Sequence, residues 1–251
     1  GGAITLTNSL NAFTGIVNAD SDFDDSGDHN AVSITASGGI QLGAIEATTL
    51  TITAGGAITD EGIIAASGNA AFLTESAGAA PSTIDAQNTG AAALAHVFGG
   101  TITLDTDTSD DGGESNITFT DPDTSGTLDL ALVDGATVTI TASGTASIVD
   151  SGDQQITGNV SSIGVGDVTL GAIDAGTLGV TAGETLTQNV ATVISAQSTS
   201  NFTATTGDID LNGTNSLVGS VNLAGEDIRL NNGGNALSLG TVTTANDNSD
   251  G

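Results

Sequence analysis

The chain has 251 residues, of which 30 are Asp or Glu and only 1 is Lys or Arg, so its formal net charge is −29. A single fixed cation cannot neutralise a row of phosphates or dock on anionic lipid headgroups, which argues against partners that are nucleic acids or membrane surfaces. The absence of cysteine excludes disulfides, thiol catalysis and thiolate metal sites.

The apolar residues are mostly small or β-branched. They make up 37% of the chain, the mean hydropathy is +0.16, and 6 Phe are the only aromatic residues. This composition predicts a folded chain with a thin aliphatic core. No stretch approaches the roughly 20 apolar residues that span a bilayer, so no membrane insertion is expected. The first residues already lie within a repeat pattern, and we interpret the chain as part of a longer repetitive protein.

From the N-terminus onwards, short apolar–polar alternations are bounded by Gly, Asn, Asp or Ser, and this pattern predicts β-strands. The only weak helix candidate is the stretch 91–98. The chain is therefore predicted to be all-β. The predicted strands include residues 4–6, 32–34, 40–42, 50–52, 102–104, 138–140, 168–170, 178–180, 209–211 and 228–230.

The strand pattern is also repeated within the chain. Residues 40–60 align without a gap on residues 168–188, and 11 of the 21 positions are identical. Weaker repeats relate residues 3–10 to 208–217 and residues 40–45 to 237–242. Self-similarity at a roughly constant period is the signature of a solenoid or an array.

Strand positions recur at roughly 18 to 24 residues, which favours a parallel β-helix whose turns stack at about 4.8 Å. We predict a right-handed parallel β-helix (β-solenoid) of about a dozen turns, with residues 1–251 forming a single elongated domain roughly 60 Å long. Glycine is expected at the corners because tight bends need positive φ. An antiparallel β-sandwich is the main structural alternative.

The unit formed by residues 2–15, 32–34, 40–45 and 50–59, together with its partial copy at 215–242, resembles the β-strand repeats of filamentous-haemagglutinin-type adhesins. The resemblance implies a secreted bacterial surface protein that is often exported through a partner outer-membrane pore. It also implies a parallel β-helical shaft used in attachment, aggregation or filament formation. The amino-terminal secretion domain of that family is not recognisable in this sequence.

Three acidic inserts, near residues 20–30, 105–116 and 246–251, concentrate the carboxylates. Alternating oxygen ligands followed by glycine suit Ca²⁺, which takes six to eight hard oxygens. The alternative is that these inserts are solvated turns in which Asp and Asn cap backbone groups. The candidate calcium ligands are Asp20, Asp22, Asp24, Asp25, Asp28, Asp105, Asp107, Asp110, Asp111, Glu114, Asn246, Asn248 and Asp250.

Carboxylate pairs such as Asp121 with Asp123, or Asp208 with Asp210, are the candidates for glycoside chemistry. Asp208 and Asp210 flank Ile209, so both should point outward from one strand. Sugar sites usually need aromatic platforms, and the chain has neither Trp nor Tyr. Catalysis is therefore not expected, and no catalytic residue is assigned.

Neither His29 nor His96 has a partner histidine at metal-binding spacing, so zinc is not expected. His29, in the first acidic insert, is expected to be solvated. Arg229 is expected to pair with Glu226 or Asp227 on a strand face.

These features predict an extracellular structural or adhesive rod at a bacterial cell surface, non-catalytic and ordered or bridged by Ca²⁺. Its expected partners are other copies of itself, joined end to end or laterally, and host or cell-surface glycans. Pairs of outward threonines, including Thr51 with Thr53, keep an ice- or glycan-binding β-helix module open as an alternative function. A polysaccharide-acting enzyme is the remaining alternative.

Overall fold

The computed structural model describes residues 2–22, 29–74, 84–86, 97–99, 102–106, 116–121, 127–142, 147–150, 153–164 and 166–244. These residues contain 26 strands and no helix. The strands are β1 (Ile4–Leu6), β2 (Val17–Asp20), β3 (Val32–Ala36), β4 (Ile40–Ala47), β5 (Leu50–Ala54), β6 (Ile58–Asp60), β7 (Ile64–Ala66), β8 (Ala70–Thr74), β9 (Ile84–Ala86), β10 (Val97–Phe98), β11 (Ile102–Asp105), β12 (Ile117–Asp121), β13 (Thr127–Ala142), β14 (Ser147–Asp150), β15 (Asp153–Gly164), β16 (Val168–Leu170), β17 (Ala172–Ala175), β18 (Thr177–Ala182), β19 (Leu186–Gln188), β20 (Ile194–Ala196), β21 (Ser200–Ala204), β22 (Ile209–Leu211), β23 (Ser216–Leu217), β24 (Ser220–Gly225), β25 (Ile228–Leu230) and β26 (Ser238–Thr244).

Parallel stacking of successive coils defines the architecture. Every pairing between described strands is parallel. A strand therefore pairs with strands of the coils before and after it, and not with a hairpin neighbour. The chain is an all-β solenoid, as predicted, and the antiparallel sandwich is excluded.

The core is a set of inward-facing apolar ladders. In β3, β5 and β8 every second residue is buried. Ile34 lies over Ile52, which lies over Phe72, and all three side chains are fully buried. Burial of one such side chain contributes about 1.5–3 kcal/mol, so each coil is stable only against its neighbours.

The internal sequence repeat covers one coil of three strand segments and the first strand of the next coil. The segment 40–47 forms β4, and its copy forms β16 and β17. The next repeated segment forms β5 in one copy and β18 in the other, followed by β6 and β19. Ile58 stacks on Ile40, and Leu186 stacks on Val168, in both cases 18 residues later.

The solenoid has fewer turns than the dozen predicted. The regular spacing holds from Val32 to Leu50, 18 residues later, but not throughout the chain. Ile102 stacks on Ala70, which lies 32 residues before it. Longer connections in such coils consume chain without adding a turn.

The weak helix candidate at 91–98 was wrong where the structure describes it. Val97 and Phe98 form β10, which pairs in parallel with β7. The ring of Phe98 lies edge-on to that of Phe72 at 6.3 Å and tilted against that of Phe119 at 5.8 Å, in a cluster of three phenylalanines. Residues 91–96 lie outside the described residues.

Most described glycines serve a different purpose from the one predicted. Positive φ occurs at only two of them, Gly233 (60°) and Gly234 (84°). At Gly219, a Cβ atom would lie 2.3 Å from the carbonyl carbon of Ser198 in the preceding coil. Close approach between stacked backbones, and not an unusual dihedral angle, is thus what requires glycine there.

One corner of the C-terminal half contains a buried amide ladder formed by Gln188, Asn215 and Asn232. Asn215 Oδ1 accepts hydrogen bonds from the backbone N–H of Ile194 at 2.9 Å and from Gln188 Nε2 at 2.8 Å. Its Nδ2 donates to Gln188 Oε1 at 3.1 Å and to the backbone oxygen of Leu211 at 3.3 Å. These bonds satisfy backbone groups that leave the parallel ladder where the chain bends.

Candidate functional site

The first acidic insert is described at both of its ends, residues 20–22 and 29–30. Asp20 ends β2 and is paired in register with Glu46 of β4, so two carboxylates lie side by side on adjacent strands. Asp22 is buried, and its backbone N–H donates to Asp20 Oδ1 at 2.8 Å. The predicted ligands Asp24, Asp25 and Asp28 lie outside the described residues.

His29 lies beside this pair of carboxylates. Its Nδ1 is 3.9 Å from Asp20 Oδ1, and its Nε2 is 3.6 Å from Glu46 Oε2. Ligand atoms from the three residues all lie within 4.8 Å of one another. We call Asp20, His29 and Glu46 the strand-edge cluster. His29 is 28% exposed, and the two acids are 53% and 54% exposed.

Backbone contacts at both ends of the insert position the cluster. The hydroxyl of Ser21 donates to the backbone oxygens of Asn30 and Glu46 and accepts from the backbone N–H of Asn30 at 2.8 Å. The Thr48 hydroxyl donates to the backbone oxygen of His29. Ser21 and Thr48 therefore tie the entry and the exit of the insert to the end of β4.

The sequence analysis did not identify Glu46, because the register between β2 and β4 is set only in the tertiary structure. One signal was available. Glu46 aligns with Asp174 in the second copy of the repeat, so both copies carry an acid at this outward position.

The second insert is described only at its two ends, and the third lies entirely outside the described residues. Asp105 ends β11, where it is half-buried beside Leu73 of β8. The predicted ligands Asp107, Asp110, Asp111, Glu114, Asn246, Asn248 and Asp250 lie outside the described residues, and so does His96. Of the second ligand set only Asp105 is described, and of the third set none is.

Arg229 does not pair with Glu226 or Asp227, as the sequence analysis expected. Its Nη1 lies 3.2 Å from Asp210 Oδ2, one coil below, because β25 stacks on β22 and places Arg229 directly over Asp210. The expected partners are close in sequence, but the solenoid brings residues about 20 positions apart into contact.

Asp208 and Asp210 point outward on either side of the buried Ile209, as predicted. With Asp227 and Arg229 they line an open cleft of about 320 Å³. One Asp208 oxygen accepts from the backbone N–H of Asp227 at 3.1 Å. This carboxylate pair is thus engaged in contacts between coils.

The outward threonines form short rows. Thr51 and Thr53 stack on Ser33 and Thr35 of the previous coil. The next coil places Ala71 and Leu73 at these positions, which interrupts both rows.

A chain built from stacked parallel coils with an internally repeated coil sequence is a β-solenoid repeat protein. Two blocks of the chain, residues 29–105 and 157–224, match a family described as repeats of unknown function (DUF5649), and together they cover more than half of the sequence. The chain belongs to this family. No curated protein and no solved structure matches it. The described residues include no helix suited to crossing a membrane.

Proposed function

We propose that this chain is a segment of an extracellular, non-catalytic rod at a bacterial cell surface, with a structural or adhesive role, that associates end to end with other copies of itself. The resemblance to filamentous-haemagglutinin-type repeats supports the surface location and the adhesive role. The observation that carries the proposal is the parallel stacking of coils, in which the upper edge of one coil receives the lower edge of the next.

At the C-terminal end the uncovered strand is β26, all of whose residues are exposed. Leu239 stacks on Val221, and Val242 stacks on Leu223. The two inner residues are 0% and 4% exposed, whereas Leu239 and Val242 are 55% and 47% exposed. A further coil laid on β26 would bury these side chains as β26 buries those of β24.

At the N-terminal end the uncovered strand is β1. Leu6 is 42% exposed, although its ladder neighbour Ile34 is fully buried. In a parallel stack the upper edge of each coil complements the lower edge of the next, so the two end faces of one chain are complementary to each other. That relation gives a head-to-tail contact that extends into a filament and does not close into a dimer.

The assembly test is sedimentation velocity across a range of protein concentrations, with negative-stain images of the same samples. The wild-type chain should form linear species whose mass rises with concentration. Leu239→Lys should weaken this association at least tenfold. Val190→Lys is the matched control, because Val190 is 96% exposed between β19 and β20 and the charge change is the same. A monomer at every concentration, or equal effects of the two substitutions, would refute the proposal.

We also propose that Ca²⁺ orders the acidic inserts and bridges neighbouring rods. A net charge of −29 with one fixed cation leaves the surface carboxylates short of protein counter-charges, so bound cations would relieve their repulsion. This proposal is tested by thermal melting in excess chelator and in about 2 mM CaCl₂, a concentration of the order at which extracellular calcium sites fill. Equal midpoints in the two conditions would refute it.

Glycan binding is the second candidate function, and it is favoured by an outward amide row. Asn222 Nδ2 donates to Asn201 Oδ1 at 2.8 Å, and Asn222 Oδ1 accepts from the backbone N–H of Thr241 at 2.7 Å. The three residues line an open groove of about 120 Å³. A glycan array tests this function: binding that Asn222→Ala abolishes would support it, and an array with no bound sugar would refute it.

A further inference from the structure

We propose that the strand-edge cluster of Asp20, His29 and Glu46 binds one divalent transition-metal ion, with Zn²⁺ as the reference ion. This inference goes beyond the proposed rod function and concerns a different site from the end faces. It also differs from the calcium proposal in one respect, since one of the three ligands is an imidazole nitrogen.

The first argument is the chemistry of the donor set. Imidazole nitrogen suits Zn²⁺, Ni²⁺, Cu²⁺ and iron, whereas Ca²⁺ takes only oxygen ligands. Two carboxylates and one histidine match the three protein ligands of an open zinc site, in which water fills the fourth position. Two negative charges from Asp20 and Glu46 also balance a divalent ion.

The second argument is the unsatisfied state of the imidazole. Nδ1 of His29 is buried and has no hydrogen-bond partner. The nearest carboxylate oxygens, 3.9 Å and 3.6 Å from the two ring nitrogens, are beyond hydrogen-bond distance. A buried polar atom without a partner is costly, and a metal ion bound at Nδ1 would remove that cost.

The third argument is placement. The parallel register fixes Asp20 beside Glu46, and the Thr48 and Ser21 contacts fix the backbone at His29 and Asn30. A tetrahedral ion with ligands at about 2.0–2.2 Å holds its ligand atoms about 3.3–3.6 Å apart. The three side chains offer ligand atoms within 4.8 Å of one another, so side-chain rotations that move the half-exposed carboxylate oxygens by about 1–1.5 Å complete the site.

Isothermal titration of the metal-free chain with ZnCl₂ tests the inference, with thermal melting as a second readout. One zinc site should be found that His29→Gln and Glu46→Gln each weaken at least tenfold. Glu184→Gln is the matched control, because it removes the same charge from an exposed residue far along the chain. Binding to this control should equal that of the wild type. A tenfold excess of CaCl₂ should not displace the zinc.

Three outcomes would overturn the inference. Absence of zinc binding would leave His29 as a bridge between two carboxylates only. Equal weakening by Glu184→Gln would show diffuse binding to the acidic surface. Displacement by calcium would assign the site to oxygen ligands alone. Melting of each metal-free variant at the wild-type midpoint confirms that folding is intact, and the sedimentation test of end-to-end assembly is independent of all these outcomes.

Discussion

Replacement of Asn215 by alanine should unfold the C-terminal half of the solenoid at lower denaturant concentrations. Asn215 is 1% exposed, and its amide makes four hydrogen bonds at the corner between coils. Alanine removes all four bonds. The backbone N–H of Ile194 then loses its partner at a buried site, whereas the half-buried Gln188 amide keeps its hydrogen bonds to Thr192 and Gly213.

The magnitude follows from the cost of unsatisfied buried groups. Each buried donor or acceptor left without a partner costs about 1–3 kcal/mol. Ile194 N–H is the buried group that bears this penalty, and the small cavity adds to it. We expect Asn215→Ala to lower the free energy of unfolding by roughly 2–4 kcal/mol.

Urea denaturation followed by far-UV circular dichroism measures the loss, and amide hydrogen exchange at Ile194 locates it. The matched control is Asn201→Ala, which removes one exposed Asn–Asn hydrogen bond and should cost roughly 0.5–1 kcal/mol. Exchange at Ile194 should accelerate in the Asn215 variant and not in the control. If the two variants lose the same stability, or if Ile194 exchange is unchanged, the amide ladder does not hold the corner.

Urea denaturation also measures the remaining predictions. Gly219→Ala places a Cβ 2.3 Å from the backbone of the preceding coil, so it should lower the free energy of unfolding by about 1–3 kcal/mol. In the control Gly38→Ala the new Cβ meets nothing within 4 Å, so the free energy of unfolding should stay within about 0.5 kcal/mol of the wild type. Equal losses in the two variants would contradict the close-packing argument. Ile52→Ala should lower the free energy of unfolding by about 2–5 kcal/mol, because the side chain is fully buried in a ladder. A loss below about 1 kcal/mol would mean that the core collapses around the gap. Arg229→Gln should cost less than about 1 kcal/mol, since the guanidinium is 69% exposed and its bond to Asp210 is screened; a larger loss would show that this one cation has a structural role.

The β-strands were largely predictable from the sequence. All ten alternations named from the sequence lie within strands, because a period of two between apolar and polar residues is a local property of the chain. The coil repeat was predictable for a similar reason. Residues 40–60 and 168–188 share a pattern, and in the structure each block forms one coil and the first strand of the next.

Side-chain partners were not predictable in the same way. Arg229 was assigned to sequence neighbours and instead contacts Asp210, and Glu46 was not assigned to any site although it lies beside Asp20. In a solenoid, contacts join residues about one coil apart, and the exact offset depends on the length of every corner. A longer corner changes the sequence offset between stacked residues, as from 18 at Val32 and Leu50 to 32 at Ala70 and Ile102, so a fixed period does not identify the partners.

The sequence by itself determined the class of the protein: an acidic, cysteine-free, all-β repeat chain with a thin aliphatic core. The tertiary structure alone decided the number of turns, the function of its glycines and the meeting of Asp20, His29 and Glu46. The physical reason is that alternation and composition act within a strand, whereas register is set between strands by the packing of whole coils. Each acid of this chain is visible in the sequence, but its neighbours are known only once the coils are stacked.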